Sequence, residues 1–205
     1  MLAFDELAGV ALPLDRSDVD TDAIIPQRWL VTVTRTGLGT GLFGSWRYDA
    51  DGSARADFIL NQLAYRQACI IVAGANYGCG SSREHAVWAH LDYGVRAILA
   101  PSFGPIFYEN SLNNGLLPVE LPAADVATIM RQLQQQPGGT CRVSLRTMAV
   151  TGPDGSVYRF VMDPARRTAL RDGIDDIGLS ARKLDAIAAF QSAQLQAMPW
   201  LRSGT

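Results

Sequence analysis

The chain has 205 residues, 48% of them hydrophobic and 19% charged, with a net charge of −2. That fits one domain, or one domain with a C-terminal extension, and is too apolar for a disordered chain. The weak negative charge argues against a nucleic-acid duplex or an anionic membrane as the main partner.

No run of ~18 apolar residues predicts a transmembrane helix. The acidic start Met1–Glu6 lacks the basic region of a signal peptide, so a cytoplasmic location is expected. Lys183 is the only lysine. No lysine lies near a Gly-rich loop, which excludes a P-loop and argues against Schiff-base chemistry. Cys69, Cys79 and Cys141 lie ten and 62 residues apart. That spacing is neither a disulfide framework nor a CxxC metal pair.

Gly9–Leu14 reads as a short apolar strand. Asp15–Asp22 follows as an acidic turn-rich loop, with Ala23-Ile24-Ile25-Pro26 leading out of it. Residues 36–55 hold five glycines. They read as a long loop without regular structure, either functional or simply solvated. Cys69–Ala73 is a continuous apolar run and predicts a strand buried on both faces. A Gly-rich turn over Gly74–Gly80 precedes a helix from about Arg83 to Tyr93, ended by Gly94. Val95–Ala100 predicts a strand, Phe103–Asn114 a helix closed by Gly115, and Leu116–Leu121 a third strand. This alternation implies a parallel βαβαβ core.

Val126, Ile129, Met130 and Leu133 fall on one face of a helix. Residues 141–150 and 156–162 flank a hairpin signal at Thr151–Gly155. Asp163-Pro164 predicts an N-cap with proline at N1, and Gly173 a helix end. A last helix is expected from near Ser180, with Leu184, Ile187 and Ala188 on one face.

The densest chemical segment is Gly74–His85. Ser81 and Glu84 have capping-box spacing, which makes Ser81 a candidate N-cap. A helix N-terminus offers backbone N–H groups to an anion, and Arg83 adds a planar donor fork suited to a carboxylate. A merely well-capped helix and a small-anion site both fit. Arg83 stands where a Rossmann fingerprint needs Gly or Ala, and Glu84 breaks a nucleophile elbow. His85 and His90 are five apart, about 140° around a helix, so they form no i,i+4 zinc pair. Each is better read as a packing or hydrogen-bonding residue. Asp18, Asp20 and Asp22 could bind a hard cation, cap a turn or orient an arginine. An EF-hand is excluded by Ala23 and Trp29 at its sixth and twelfth positions.

Three stretches together resemble a known family: Asp18–Pro26 (DVDTDAIIP), Asn76–Ala86 (NYGCGSSREHA) and Ile106–Pro118 (IFYENSLNNGLLP). They are similar to the small subunit of bacterial 3-isopropylmalate dehydratase, the aconitase-type swivelling domain as a separate chain. The likeness runs from about Gly9 to Gln191 and includes Val33–Gly37 and Asp176–Leu179. Val87 stands in place of a common proline, and Gly104-Pro105 in place of Ala-Asp. Residues 192–205 add nothing to it.

The resemblance implies an α/β fold, the aconitase-like swivelling β/β/α domain. It would carry a parallel βαβαβ core and a C-terminal extension of a hairpin and helices. Residues 1–205 would form one domain, with 1–121 bearing the motifs and 122–205 packed on it. It implies a hydro-lyase of leucine biosynthesis, interconverting 2- and 3-isopropylmalate through 2-isopropylmaleate. Ser81 would be the base, and Asp22 would orient active-site partners. Ser82, Arg83, Arg35 and Thr21 would bind substrate.

The Lewis acid would be a [4Fe–4S] cluster, and these three cysteines lack the spacing to hold it. It would come with a separate large subunit, in a heterodimer or heterotetramer. Rival readings are the same fold acting on citraconate and citramalate, dimethylmalate or homoaconitate, or a non-enzymatic carboxylate-binding module. The segment Leu30–Gly44, with Val31 and Val33, is expected to set substrate choice.

Overall fold

The computed structural model describes residues 1–30, 34–81 and 83–201. Val31, Thr32, Val33 and Ser82 lie outside that range, so the expected roles of Val31, Val33 and Ser82 do too.

Among the described residues the strands form one seven-stranded sheet in the order β4-β3-β2-β1-β5-β6-β7. Its backbone is β1 (Glu6–Leu14), which serves two partners. The C-terminal half of β1 pairs in parallel with β2 (Ile70–Ala73), from Ala11 opposite Ile70 to Leu14 opposite Ala73. Its N-terminal half pairs antiparallel with β5 (Thr140–Ser144), from Glu6 opposite Ser144 to Val10 opposite Thr140. Next to β2, the strands β3 (Ala97–Ala100) and β4 (Leu117–Glu120) continue the parallel ladder.

The short apolar runs make these strands for the reason the sequence suggests: both faces are covered. Leu12, Ile71, Ala73, Ile98 and Ala100 point into one core cluster, and Ala11, Ile70, Val72, Leu99 and Val119 into the other. On the first face lies α3 (Glu84–Tyr93), through Ala86, Val87 and Ala89. On the second lies α5 (Ala123–Gln135), through Val126, Ile129, Met130 and Leu133. Between β3 and β4, α4 (Pro105–Asn114) sends Phe107 to the first cluster and Leu112 to the second. Gly94 and Gly115 end α3 and α4 in the left-handed region, at φ 108° and 86°.

Several expectations change. The segment 36–55 is the expected irregular, exposed loop only at its ends, over 36–37 and 49–55. Leu38–Gly41 forms a 3₁₀ turn and Gly44–Arg47 a short helix. A four-residue helical turn, Thr21–Ile24, comes earlier in the chain, so Thr21–Ile24 is α1 and Gly44–Arg47 is α2. Leu38, Leu42 and Phe43 are fully buried. Glycine permits this packing: a Cβ on Gly39 would lie 2.6 Å from the Tyr93 amide nitrogen.

The expected strand 141–150 is two strands. Between β5 and β6 (Ala149–Thr151) the chain turns, with Met148 at φ 53°. Strand β7 (Val157–Arg159) then completes an antiparallel meander with β6. Next comes α6 (Pro164–Asp172). Its cap is the expected one, as Asp163 accepts from the Ala165 and Arg166 amides at 3.0 Å each. The last helix does not begin near Ser180. A short α7 (Asp176–Ala181) precedes α8 (Leu184–Ala197), and no residue of α8 is buried.

Candidate active site

Parallel strands leave their connecting loops at one sheet edge, and there the three sequence motifs meet. The turns that follow β1 and β2 are hydrogen-bonded along their length. The Asp18 amide donates to the Ala75 carbonyl at 2.9 Å, the Gly78 amide to Val19 at 2.7 Å and the Thr21 amide to Cys79 at 3.0 Å. The Asn76 side-chain amide donates to the Asp18 carboxylate at 2.7 Å. On the other flank, the Tyr77 amide donates to the Ser102 carbonyl at 3.1 Å and the Gly104 amide to Tyr77 at 2.8 Å.

Two glycines are forced by this crowding. A Cβ on Gly104 would lie 2.4 Å from the Gly78 carbonyl oxygen. Gly78 itself adopts φ 73°, and its Cβ would fall 2.2 Å from the Phe107 ring.

On this ladder sit four of the expected site residues. Thr21 is buried, and its hydroxyl donates to the Ser81 carbonyl at 2.8 Å. Ser81 is exposed and lines a cavity of about 140 Å³ with Cys79, Gly80, Pro105, Ile106 and Phe107. Arg83 is ion-paired with the Asp22 carboxylate. The guanidinium is the more buried partner, at 19% side-chain exposure against 57% for Asp22. The acidic cluster is thus neither a cation cage nor a mere turn. Asp20 caps α1 by accepting from the Ala23 amide at 2.6 Å, Asp18 holds Asn76, and Asp22 holds Arg83.

Ser81 is not the N-cap of α3. That position belongs to Arg83, in extended conformation and with no side-chain cap bond, and Glu84 is the first helical residue. Glu84 instead accepts from the Asn114 side-chain amide at 2.8 Å. The capping-box pattern fails because the helix starts two residues later than that spacing needs, with Glu84 at N1 rather than N3.

Arg35 lies with other residues. Its guanidinium sits 4.9 Å from the Trp88 ring centroid, a cation–π contact. It lines a second cavity, of about 270 Å³, with Glu84, Asn114, Asp175 and Ile177. Trp88 also donates to the Asn114 side-chain oxygen at 3.0 Å, so Glu84, Trp88 and Asn114 form one polar rail. The i,i+4 spacing of Glu84 and Trp88 was the only sequence signal for it.

Beneath the site, Tyr77 and His90 are both fully buried, with Tyr77 Oη 2.7 Å from His90 Nε2. His90 Nδ1 is 2.6 Å from the Ala86 carbonyl. A carbonyl only accepts, so Nδ1 carries the proton and the tyrosine hydroxyl donates to Nε2. Burial lowers the His90 pKa to about 4 and raises that of Tyr77 well above its usual value, so both stay neutral. His90 is a hydrogen-bonding core residue, as the sequence suggested.

The cysteines do not fit a shared iron–sulfur cluster. Cys141 is buried on β5, and burial pushes its thiol up to about 12. Cys69 and Cys79 flank opposite ends of β2. Burial and the nearby Asp20 and Asp18 also raise Cys79, which opposes a thiolate ligand. Cys69 is half-buried and lies just before β2 rather than inside it.

Residues 1–124 match the Aconitase C-terminal domain family, and residues 176–203 match the family of the C-terminal domain of the 3-isopropylmalate dehydratase small subunit. The chain is 58% identical over 201 residues to 3-isopropylmalate dehydratase small subunit 1 of Bordetella pertussis, covering 98% of this chain and 100% of that protein. It is 49% identical to the 3-isopropylmalate dehydratase small subunit of Roseobacter denitrificans, over 97% of this chain and 98% of that one. The crystal structure of 3-isopropylmalate dehydratase from Methanocaldococcus jannaschii superimposes with a TM-score of 0.67 at 28% identity, covering 90% of this chain and 99% of that one. Sequence relatives and structural neighbour agree: the chain belongs to the aconitase-like family of 3-isopropylmalate dehydratase small subunits.

Proposed function

We propose that this chain is the cluster-free half of a two-chain hydro-lyase active site, working in the cytoplasm and acting on isopropylmalate. The observation that carries the reading is the Arg83–Asp22 pair beside exposed Ser81, on a ladder of backbone hydrogen bonds at the sheet edge.

The reaction removes a proton from a carbon next to a carboxylate and hydroxide from its neighbour. Arg83 supplies a two-pronged donor for the carboxylate. Asp22 holds the guanidinium and acts as a positioning residue. Thr21 fixes the Ser81 backbone, so that the Ser81 hydroxyl oxygen can face the substrate carbon. Ser81 is the proton acceptor, and the positive charge of Arg83 favours its anionic form. Ser82, next in the chain, shares the carboxylate, and Arg35 approaches substrate from the segment before Leu38.

A [4Fe–4S] cluster brought by a large subunit would supply the Lewis acid that loss of hydroxide needs. Because the residues here do not suit such a cluster, the chain alone is expected to be inactive, and the working form is a heterodimer or heterotetramer.

The test is an anaerobic assay with a cluster-loaded large subunit from the same source, following the conjugated alkene by ultraviolet absorbance. Activity should need both chains, and Ser81→Ala should lower kcat at least ~100-fold. Turnover of citraconate but not isopropylmalate would replace the substrate. Full activity of Ser81→Ala would remove Ser81 as the base.

A further inference from the structure

We propose that the C-terminal helices, α7 and α8, form a docking surface for the large subunit and supply affinity rather than chemistry; this rests on the two-chain reading above. Among the described residues between 177 and 200, six large apolar side chains are left uncovered. Ile177 is 80% exposed, Leu184 62%, Phe190 68% and Trp200 76%, with Ile187 and Met198 at 39% and 42%. Single exposed apolar residues are ordinary, but monomeric proteins rarely leave a run of them on one segment.

The chemistry of the segment selects the kind of partner. Within α8, Asp185 is the only charged residue. A lipid surface or a nucleic acid would call for basic residues along the helix, and α8 has none. A protein surface fits a helix of this composition.

Position selects the large subunit over a second copy of the chain. Asp175 and Ile177 line the cavity that also holds Glu84 and Arg35. Glu84 directly follows Arg83, so the apolar segment begins at the rim of the face that must receive the cluster-bearing partner. A partner seated over Ser81 and Arg83 would extend onto Ile177 and then along α8. The segment also matches a domain family of its own, residues 176–203, separate from the aconitase domain match at residues 1–124.

The experiment is a titration of the full chain against the cluster-loaded large subunit, read twice: by direct binding in anaerobic sedimentation, and by activity. The variant Leu184→Glu/Phe190→Glu places charges at exposed positions, and Val161→Glu, at a residue 93% exposed, serves as the control. The double variant should weaken binding at least tenfold and raise the half-saturating concentration equally. The kcat at saturation should match wild type, and Val161→Glu should change neither. Ile177→Glu alone should weaken binding by a smaller factor.

Unchanged binding by the double variant would overturn the proposal. So would a wild-type chain that dimerises alone and becomes monomeric in the variant while its affinity for the large subunit is unaffected. The binding readout does not depend on turnover. A complex that forms and is weakened by the double variant, but leaves isopropylmalate unchanged, would refute the substrate reading alone.

Discussion

The motif loops and the C-terminal helices treat their unsatisfied groups in opposite ways. At residues 15–20 and 74–81 the chain leaves regular structure, yet backbone groups there are paired across to a neighbouring loop. At 184–197 the chain is regular helix, yet none of its residues is buried. Irregular backbone is stable where tertiary bonds replace the ladder, and a regular helix remains incomplete where no surface covers it. The first region is finished within the chain, and the docking proposal has the second finished by association.

Substitutions should separate the two regions cleanly. The largest loss is expected from Gly78→Ala. It combines a positive φ with a Cβ driven into Phe107, and should lower unfolding free energy by about 3–4 kcal/mol in urea melts. Acid should act nearly as strongly through His90. Its folded pKa is about 4 against 6.5 for the free side chain, so the unfolded chain takes up the extra proton. His90's contribution is therefore intact above pH 6.5 and falls away between pH 6.5 and about 4, by about 3 kcal/mol in all. Denaturant midpoints measured across that window should show the decline, and a flat profile would remove His90 as its source.

Tyr77→Phe leaves the His90 acceptor nitrogen without its donor, for a loss of about 2 kcal/mol. It should also flatten the acid profile by letting the imidazole protonate more readily. At the far end of the scale, Leu184→Ser on α8 should move the melt of the isolated chain by less than ~0.5 kcal/mol. A large effect there would mean that α8 is packed on the body after all, and would erase the contrast.

What the sequence disclosed follows the same division. The parallel strands, α5 and the Asp163 cap were legible because period, length and cap chemistry are local signals. The break between β5 and β6 was not, since Leu145-Arg146-Thr147-Met148 contains no glycine, proline or asparagine to mark a turn. Ser81 is not the cap its spacing suggests because α3 begins two residues further on, and the Ser81 carbonyl is held by Thr21, remote in sequence. The same distance hid the sharing of roles among Asp18, Asp20 and Asp22. Composition showed an acidic turn, but only the fold gives each carboxylate a different amide or guanidinium to hold. The apolar face of α8 was visible from periodicity, whereas its exposure was not, because an amphipathic pattern does not say which molecule lies opposite.

The ladder joining Asp18, Val19 and Thr21 to Ala75, Gly78 and Cys79 has a consequence for the timing of assembly. Its bonds close when β1 and β2 pair, before any second chain is needed. Encounter with a partner therefore need not order the Ser81 turn, and the entropy of fixing it is charged to folding rather than to association. Such a chain can wait in solution with these paired turns already shaped. The speed at which enzyme appears after mixing would then be set by diffusion and docking of two finished surfaces.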